Sequence, residues 1–168
     1  MRKKASNLTA YQQALGLLVR REHSQRELKR KLKDRGKESE EIEMAVEKLS
    51  RQDFQNDERF AFALALSRQS AGYGPNRIRA EMYQHGLGAE LAEQAVCGLA
   101  CDWLALAKDL VSRRFLRKIQ ADPLQARKSV DFLLRRGFDT KTAYAASRIK
   151  EWQDLPEILQ ELTEYSDK

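Results

Sequence analysis

The chain has 168 residues, of which 42% are hydrophobic and 33% are charged, and its formal net charge is +6. A basic balance of this kind favours a polyanionic or acidic partner. The apolar runs are shorter than the roughly 20 residues that cross a bilayer. The charged N-terminus is not followed by the apolar region of a secretory signal. These features predict a cytoplasmic protein without a membrane partner.

Helix is favoured along the whole chain, because there are only eight glycines and three prolines and no long run of alternating β-branched residues. The first predicted helix is AYQQALGLLVRR, with apolar residues at helical spacing. A short basic helix follows in HSQRELKRKLKDRG, and a third is predicted over Glu40–Ser50. We therefore predict an all-α protein.

The next segment repeats this order of a long, a short and a third helix. Asn56 or Asp57 is a suitable N-cap for a helix in NDERFAFALALSRQ. In GYGP, Gly72 and Gly74 permit unusual backbone angles and Pro75 suits the first turn of the short helix that follows. The third helix of this segment is predicted over Ala89–Ala100.

A third segment begins at CDWLALAKDLVSRRFLRKI, where Asp102 is the expected N-cap. The short helix in DPLQARKSVDFLLRRG follows, and the last helix is predicted over Thr140–Lys150. The remaining residues form an acidic C-terminal extension in which Pro156 lies near the start of a helical turn.

Glycines at matching positions divide the chain into repeats. Gly36, Gly86 and Gly137 each close a short helix, and they recur 50 and 51 residues apart. Four positions before each glycine is an apolar residue, and these residues are Leu32, Met82 and Leu133. A period of this length is typical of stacked repeats that share their apolar faces. We predict three-helix repeats at 1–52, with a basic N-terminal arm, at 53–101 and at 102–150, followed by the extension at 151–168.

Residue patterns for catalysis or metal binding are missing from the sequence. His23 and His85 are the only histidines, and neither has partners at metal-ligand spacing. Cys97 and Cys101 lack the spacing of a zinc site and are interpreted as packing residues. No motif of a hydrolase nucleophile or a phosphate loop is complete. The sequence thus predicts a protein that is not an enzyme and needs no cofactor.

Cationic side chains cluster on or beside the short helix of every repeat. If equivalent helices align in a stack, these side chains form a basic strip that contacts phosphates or an acidic groove. The alternative is that each is a solvated helix face. Seven aromatic residues on apolar faces are predicted to lie in the core: Phe54, Phe60, Phe62, Trp103, Phe115, Phe132 and Phe138. Tyr73, in the glycine-rich turn, is open to either surface contact or packing.

Several stretches together resemble the RecX family of recombination regulators. They are HSQRELKRKLKDRG, QNDERFAFALALSRQSAGYGPNRIRAEMYQHGL and FLLRRGF, and the resemblance covers about residues 10–150. It is strongest at Asp57, Arg59 and Phe60 in DERFA and at the Gly-Tyr-Gly-Pro turn. The resemblance implies a crescent of three tandem three-helix repeats in a right-handed array. It also implies a monomer that binds within the groove of the RecA–DNA filament.

The same resemblance implies inhibition of RecA ATP hydrolysis, strand exchange and SOS co-protease activity, together with binding to single- and double-stranded DNA without sequence preference. The residues expected to contact the filament or phosphates are Lys29, Arg30, Lys33, Arg77 and Arg79, followed by Arg113, Arg117, Arg127, Lys128, Arg135 and Arg136. Arg59 is expected to tie helices together through an ion pair. The glycines at 36, 72, 74, 86 and 137 are expected to serve backbone geometry.

Two other interpretations remain open at this point. Three-helix units with basic helices also occur in helix-turn-helix transcription factors, although those have one clear recognition helix and a dimer interface. An enzyme acting on nucleic acid would need a carboxylate cluster for metal or an activated nucleophile. In this sequence the basic character is spread over three repeats, and no carboxylate cluster or activated nucleophile stands out.

Overall fold

The computed structural model describes residues 8–121 and 124–147, with only the backbone described at residues 116 and 119–121. All regular structure in these residues is helical. The helices are α1 Ala10–Leu18, α2 Gln25–Lys33, α3 Ser39–Arg51, α4 Asp57–Ser70, α5 Pro75–Gln84, α6 Ala89–Cys97, α7 Trp103–Ala121, α8 Gln125–Arg135 and α9 Thr140–Ala146. The prediction of an all-α chain is confirmed.

Polar side chains cap the starts of several helices. Thr9 and Gln12 form a reciprocal capping box at α1. Asn56 accepts hydrogen bonds from the backbone N–H groups of Glu58 and Arg59 and so caps α4, as predicted. The expected cap Asp102 accepts a hydrogen bond from the backbone N–H of Ala105 at 2.9 Å.

The three short helices α2, α5 and α8 end in the same way. Gly36, Gly86 and Gly137 have φ angles of +79°, +82° and +86°. In each case the residue after the glycine donates its N–H to the carbonyl of the apolar residue four before the glycine, at 3.1–3.2 Å. This is the Schellman arrangement, which a left-handed glycine accommodates without strain. The glycine period therefore corresponds to a repeated helix end.

The described residues group into two compact units. One contains the residues up to Ala71 together with Ile78–Ala100, and the other contains Gly72–Arg77 together with the residues from Cys101 onward. In the first unit, α1 and α2 pack against α3, and α4 packs against α6. Leu28, Leu32 and Leu49 are fully buried in its core, as are Ile78 and Met82 of α5.

The second unit has its own apolar core. Helices α7, α8 and α9 pack against one another, and their buried residues include Val111, Leu133 and Phe138. Trp103 meets the Phe138 ring edge-on, with the centroids 6.5 Å apart. The turn at Gly72–Arg77 belongs to this unit and packs on the end of α8.

Some predicted details are wrong. Phe54 and Phe62 are 49% and 46% exposed rather than buried. The reason in α4 is that Phe60, Ala61 and Ala65 already fill its buried face, so that the neighbouring Phe62 lies on the opposite side. Helix α6 ends at Cys97, three residues early, since Ala100 has a positive φ of 47° that breaks the helix.

Other predictions fall outside the described residues. The N-terminal arm at 1–7, the end of the last predicted helix at 148–150 and the acidic extension at 151–168 are of this kind. Among the helices that are described, none is long and apolar enough to cross a membrane.

Candidate interaction surface

Two of the predicted contact residues are held in ion pairs that join two helices of the same repeat. Lys29 on α2 lies 2.5 Å from the carboxylate of Glu43 on α3. Arg79 on α5 makes a two-pronged contact with Glu93 on α6, at 2.7 and 3.0 Å. The hydrogen bond from Arg79 lowers the pKa of Glu93. Both cations therefore have a structural partner in the free protein.

These two ion pairs occupy equivalent positions. The cation lies seven residues before the helix-ending glycine and the carboxylate seven residues after it, in both repeats. In the third repeat the same positions are Val130 and Tyr144, which are buried in the core of the second unit. Each pair thus joins a short helix to the helix after it, and the third repeat uses apolar packing for the same purpose.

The other predicted cations are distributed over the surface. Arg30, Lys33 and Arg77 are exposed. Arg113 is exposed on α7 and pairs with Asp109, one turn before it, at 2.8 Å. The remaining exposed members of the set are Arg117, Arg127, Lys128 and Arg135. An exposed cation loses little hydration energy when it meets a phosphate or a carboxylate of a partner.

Arg136 is different, because it is half-buried and holds a turn in place. Its Nη1 donates to the carbonyl of Gly72 at 3.0 Å. Its guanidinium carbon lies 5.2 Å from the centre of the Tyr73 ring and 4.8 Å from the centre of the Phe132 ring. The backbone of the same turn is bound as well, since the N–H of Gly74 donates to the Arg136 carbonyl at 2.8 Å.

Arg59 ties helices together, as expected. Its Nε lies 2.9 Å from Glu22, in the loop before α2, and its Nη1 lies 2.9 Å from Asp53, in the turn before α4. Its Nη2 donates to the backbone carbonyls of Asp53 and Phe54. Asp57 from the same motif accepts a hydrogen bond from the N–H of Gln25 at 3.1 Å, at the first residue of α2. The motif therefore joins the first two repeats.

One contact between a cation and an aromatic ring was not predicted from the sequence. Arg114 on α7 lies with its guanidinium carbon 4.9 Å from the centre of the Phe132 ring. Phe132 is half-buried rather than fully inside the core to which it was assigned. No local pattern signals this contact, because the two residues belong to different helices. In the part of the chain that is described, no group of three His, Cys, Asp or Glu side chains could hold a metal ion.

Helices in groups of three, with similar glycine-closed ends and cationic short helices, define a class of tandem three-helix repeat proteins. Comparison with known proteins places the chain within it. Residues 10–49 match the model of the RecX first three-helix domain, and residues 56–96 match that of the RecX second three-helix domain.

Whole-chain relatives agree with these matches. The chain is 47% identical over 140 residues to the regulatory protein RecX of Xanthomonas oryzae pv. oryzae, which covers 83% of this chain and 88% of the relative. It is 48% identical to the regulatory protein RecX of Stenotrophomonas maltophilia, with 83% and 86% covered. The chain belongs to the RecX family.

Solved structures support the fold. The crystal structure of RecX from Lactobacillus salivarius matches with a TM-score of 0.70 at 21% identity, covering 82% of this chain and 91% of that one. A second crystal structure of regulatory protein RecX matches with a TM-score of 0.69 at 24% identity, covering 79% of this chain and 67% of that one.

Proposed function

We propose that this protein is a negative regulator of the RecA recombinase. It binds in the groove of the RecA–DNA filament and inhibits ATP hydrolysis, strand exchange and the co-protease activity that triggers the SOS response. The observation that carries the proposal is membership of the RecX family, whose relatives are named as regulatory proteins and align over most of this chain. We propose further that it acts as a cytoplasmic monomer, without a cofactor and without catalysing a reaction.

The exposed cations support binding to a filament that contains DNA. Arg30 and Lys33 on α2 are exposed, and so are Arg127 and Lys128 on α8. Contacts from such side chains to phosphates add affinity and position the protein, but they carry no sequence information. This supports sequence-independent binding to single- and double-stranded DNA.

The ion pairs within the protein indicate which candidate contact residues are more available to a partner. Lys29 and Arg79 already have carboxylate partners within their repeats, so a filament contact would have to compete with those pairs. Arg30 and Lys33 are exposed on the same short helix as Lys29. We therefore propose Arg30 and Lys33 as the leading contact residues of the first repeat.

Regulation of a filament requires no chemistry from the regulator. A protein that binds one filament state more tightly than another shifts the equilibrium towards the bound state by its difference in affinity. Side chains from several repeats can contact a periodic partner at successive positions, and weak contacts then add up.

The test is DNA-dependent ATP hydrolysis by RecA on single-stranded DNA, with this protein added well below the RecA concentration. We expect hydrolysis to fall at substoichiometric amounts. Hydrolysis that stays constant up to a stoichiometric amount, with salt-sensitive binding to bare DNA intact, would reject the RecA proposal and leave a general nucleic-acid-binding protein.

A pair of charge-matched variants tests the surface. Arg30→Gln with Lys33→Gln removes two exposed cations from α2, and Lys48→Gln with Arg51→Gln removes two exposed cations from α3. We expect the first variant to need ~30-fold more protein for half inhibition, since each of the two lost phosphate or carboxylate contacts is worth about 1 kcal/mol. The control should remain within ~2-fold of the parent, as exposed charges outside a contact contribute little. Equal effects of the two variants would show that only net charge matters.

A further inference from the structure

The second unit carries a row of alternating guanidinium groups and aromatic rings. Arg114 lies against Phe132 at 4.9 Å, Phe132 lies against Arg136 at 4.8 Å, and Arg136 lies against Tyr73 at 5.2 Å, measured from each guanidinium carbon to the ring centre. We call these four residues the stacking row. Distances below ~6 Å are those of cation–π contacts.

The two inner residues of the stacking row are held by contacts within the unit, and the two outer residues are more accessible to solvent. Phe132 packs against the core of the unit and against Phe115, with ring centroids 5.4 Å apart. Arg136 is fixed by its hydrogen bond to the Gly72 carbonyl. Arg114, at one end, is exposed, and Tyr73, at the other end, is half-buried. Phe132 therefore holds the guanidinium group of Arg114 in place at the surface, and Arg136 does the same for the ring of Tyr73.

Flat groups held in this way are the usual partners of unpaired bases. Bases stack on aromatic faces and on guanidinium planes, with little dependence on base identity. Further cations lie beside the row, since Lys118 approaches the Phe115 ring at 5.9 Å and Arg135 is exposed next to Arg136. They can meet the phosphates that accompany the stacked bases.

We propose that the stacking row is a binding site for single-stranded nucleic acid, in which unpaired bases stack on Arg114 and Tyr73. The proposal deepens the DNA-binding part of the proposed function and rests on it, but it does not require contact with RecA. It goes beyond a basic surface, because charge alone does not distinguish a base from its absence. In duplex DNA the bases are already stacked on each other and are not offered to these groups.

The first experiment uses the unaltered protein and three fluorescent probes of equal length: an oligothymidylate, an abasic deoxyribose-phosphate oligomer and a duplex. Fluorescence anisotropy gives the dissociation constant for each at the same salt concentration. We expect the oligothymidylate to bind at least ~5-fold more tightly than the abasic oligomer, since stacking of one base is worth about 1–3 kcal/mol. Equal binding of these two probes would overturn the proposal in favour of a simple cationic surface. The same conclusion would follow if one concentration of poly-glutamate displaced both probes to the same extent.

The second experiment separates planarity from charge. Arg114→Lys keeps the charge but removes the guanidinium plane, and Arg51→Lys is the matched control at an exposed position of α3, outside the predicted contact set. We expect Arg114→Lys to lose ~5-fold in affinity for the oligothymidylate and little for the abasic oligomer, in line with the loss of one stacked base. Arg51→Lys should change neither affinity. Equal losses for both probes, or none, would overturn the stacking role of Arg114.

Tyr73 is tested in the same way with an exposed tyrosine as control. Tyr73→Leu removes a ring from the stacking row, and Tyr83→Leu removes a ring that is 47% exposed on α5. Selective loss of oligothymidylate binding in Tyr73→Leu, with unchanged helical circular dichroism, supports the proposal. If the oligothymidylate advantage persists in Tyr73→Leu, Tyr73 does not stack on bases.

The two proposals fail in different ways. If RecA hydrolysis is inhibited but the abasic oligomer binds as tightly as the oligothymidylate, the stacking site is rejected and the RecA proposal stands. If the base-dependent advantage is present but RecA hydrolysis is unaffected, the RecA proposal is rejected and the stacking site stands.

Discussion

Replacing Gly74 by alanine should be among the more damaging single changes in the chain, although Gly74 does not have a positive φ. A Cβ at this position would lie 2.5 Å from both the carbonyl carbon and the carbonyl oxygen of Gly137, and it would also meet the backbone nitrogen of Phe138. Real Cβ atoms essentially never come within 3.0 Å of a heavy atom beyond their own residue and its chain neighbours. Because the obstacle is backbone, it cannot be relieved by a side-chain rotation.

The stability cost of Gly74→Ala follows from the two backbone segments that the added methyl group would push apart. The turn and the end of α8 are joined by two backbone hydrogen bonds, from the N–H of Gly74 to the Arg136 carbonyl at 2.8 Å and from the N–H of Asn76 to the Gly137 carbonyl at 3.0 Å. Weakening both costs about 1–2 kcal/mol, and an extra methyl group in a closed contact costs about 1–3 kcal/mol. We expect Gly74→Ala to lower the free energy of unfolding by about 3 kcal/mol.

Gly36→Ala provides the comparison, since it isolates backbone strain from contact. Gly36 has a φ of +79° and nothing within 4 Å of a Cβ, so that alanine there should cost only about 1–2 kcal/mol. The assay is urea unfolding followed by circular dichroism at 222 nm and by tryptophan fluorescence in a Trp152→Phe background. The remaining Trp103 packs against Phe138 and therefore reports on the second unit.

A Gly74→Ala protein as stable as Gly36→Ala would refute the reasoning, because the close backbone approach would then cost no more than backbone strain alone. The double variant Gly74→Ala with Gly137→Ala sharpens the test. A Cβ at Gly137 would lie 2.8 Å from the Cα of Arg77 in the same turn, so both changes push the same two segments apart. Their combined cost should be at least ~1 kcal/mol less than the sum of the single costs.

Three further predictions concern stability and use the same urea assay. Arg59→Ala removes two ion pairs and two hydrogen bonds to carbonyls, and we expect the urea midpoint to fall, by less than for Gly74→Ala because solvent screens a partly exposed guanidinium; an unchanged midpoint would show that these contacts are dispensable. Gly16→Ala, inside α1 with nothing within 4 Å of a Cβ, should stabilise the protein by about 0.5–1 kcal/mol, and any loss of stability would contradict this. Stability should also fall on acidification. Burial lowers the pKa of His23 below 6.5, so the stability linked to the neutral ring is present above pH 6.5 and is lost as the pH falls below it. Burial alone would raise the pKa of Glu27, but hydrogen bonds from Arg21 and His23 outweigh it and lower that pKa to about 2. Its contribution is therefore lost between pH 4.5 and about 2. Glu27→Gln should remove that second decline, and a urea midpoint that rises on acidification would contradict both assignments.

The helix ends were the most predictable part of the fold. A glycine four residues after an apolar residue, repeated every 50 or 51 residues, is a local signal, and the three left-handed glycines with their hydrogen bonds bear it out. The cap at Asn56 was predictable for the same reason, since capping depends on residues within one turn. Where the geometry was fixed by neighbours in the chain, the sequence was sufficient.

Features that depend on neighbouring helices were harder to predict. Phe62 belongs to a helix that is apolar on several sides, and periodicity does not decide which side is covered. Lys29 and Arg79 were predicted as contact residues from the pattern of their own helices, whereas their partners lie on the helix that follows. The matching glutamates, Glu43 and Glu93, each lie fourteen residues further on. Both pairs are nevertheless present in the sequence as the same spacing of cation, glycine and glutamate in the two repeats.

A contact between successive short helices also recurs at equivalent positions. Ser24 lies twelve residues before Gly36, and its hydroxyl is 3.2 Å from Nδ1 of His85, the residue before Gly86. Gly74 lies twelve residues before Gly86, and its N–H donates to the carbonyl of Arg136, the residue before Gly137. The start of one short helix therefore meets the glycine-closed end of the next, once in each compact unit.

This arrangement gives the three glycines different energetic roles. Gly36 has nothing within 4 Å of a Cβ, and a Cβ at Gly86 would lie 3.2 Å from the flexible side chain of Arg26. At Gly137 the neighbour is the backbone of Arg77, with Cα at 2.8 Å. All three positions carry the strain of a positive φ, but only the last adds an obstacle that cannot yield. The cost of alanine should therefore increase in the order Gly36, Gly86, Gly137, and urea unfolding of the three single variants measures that order directly.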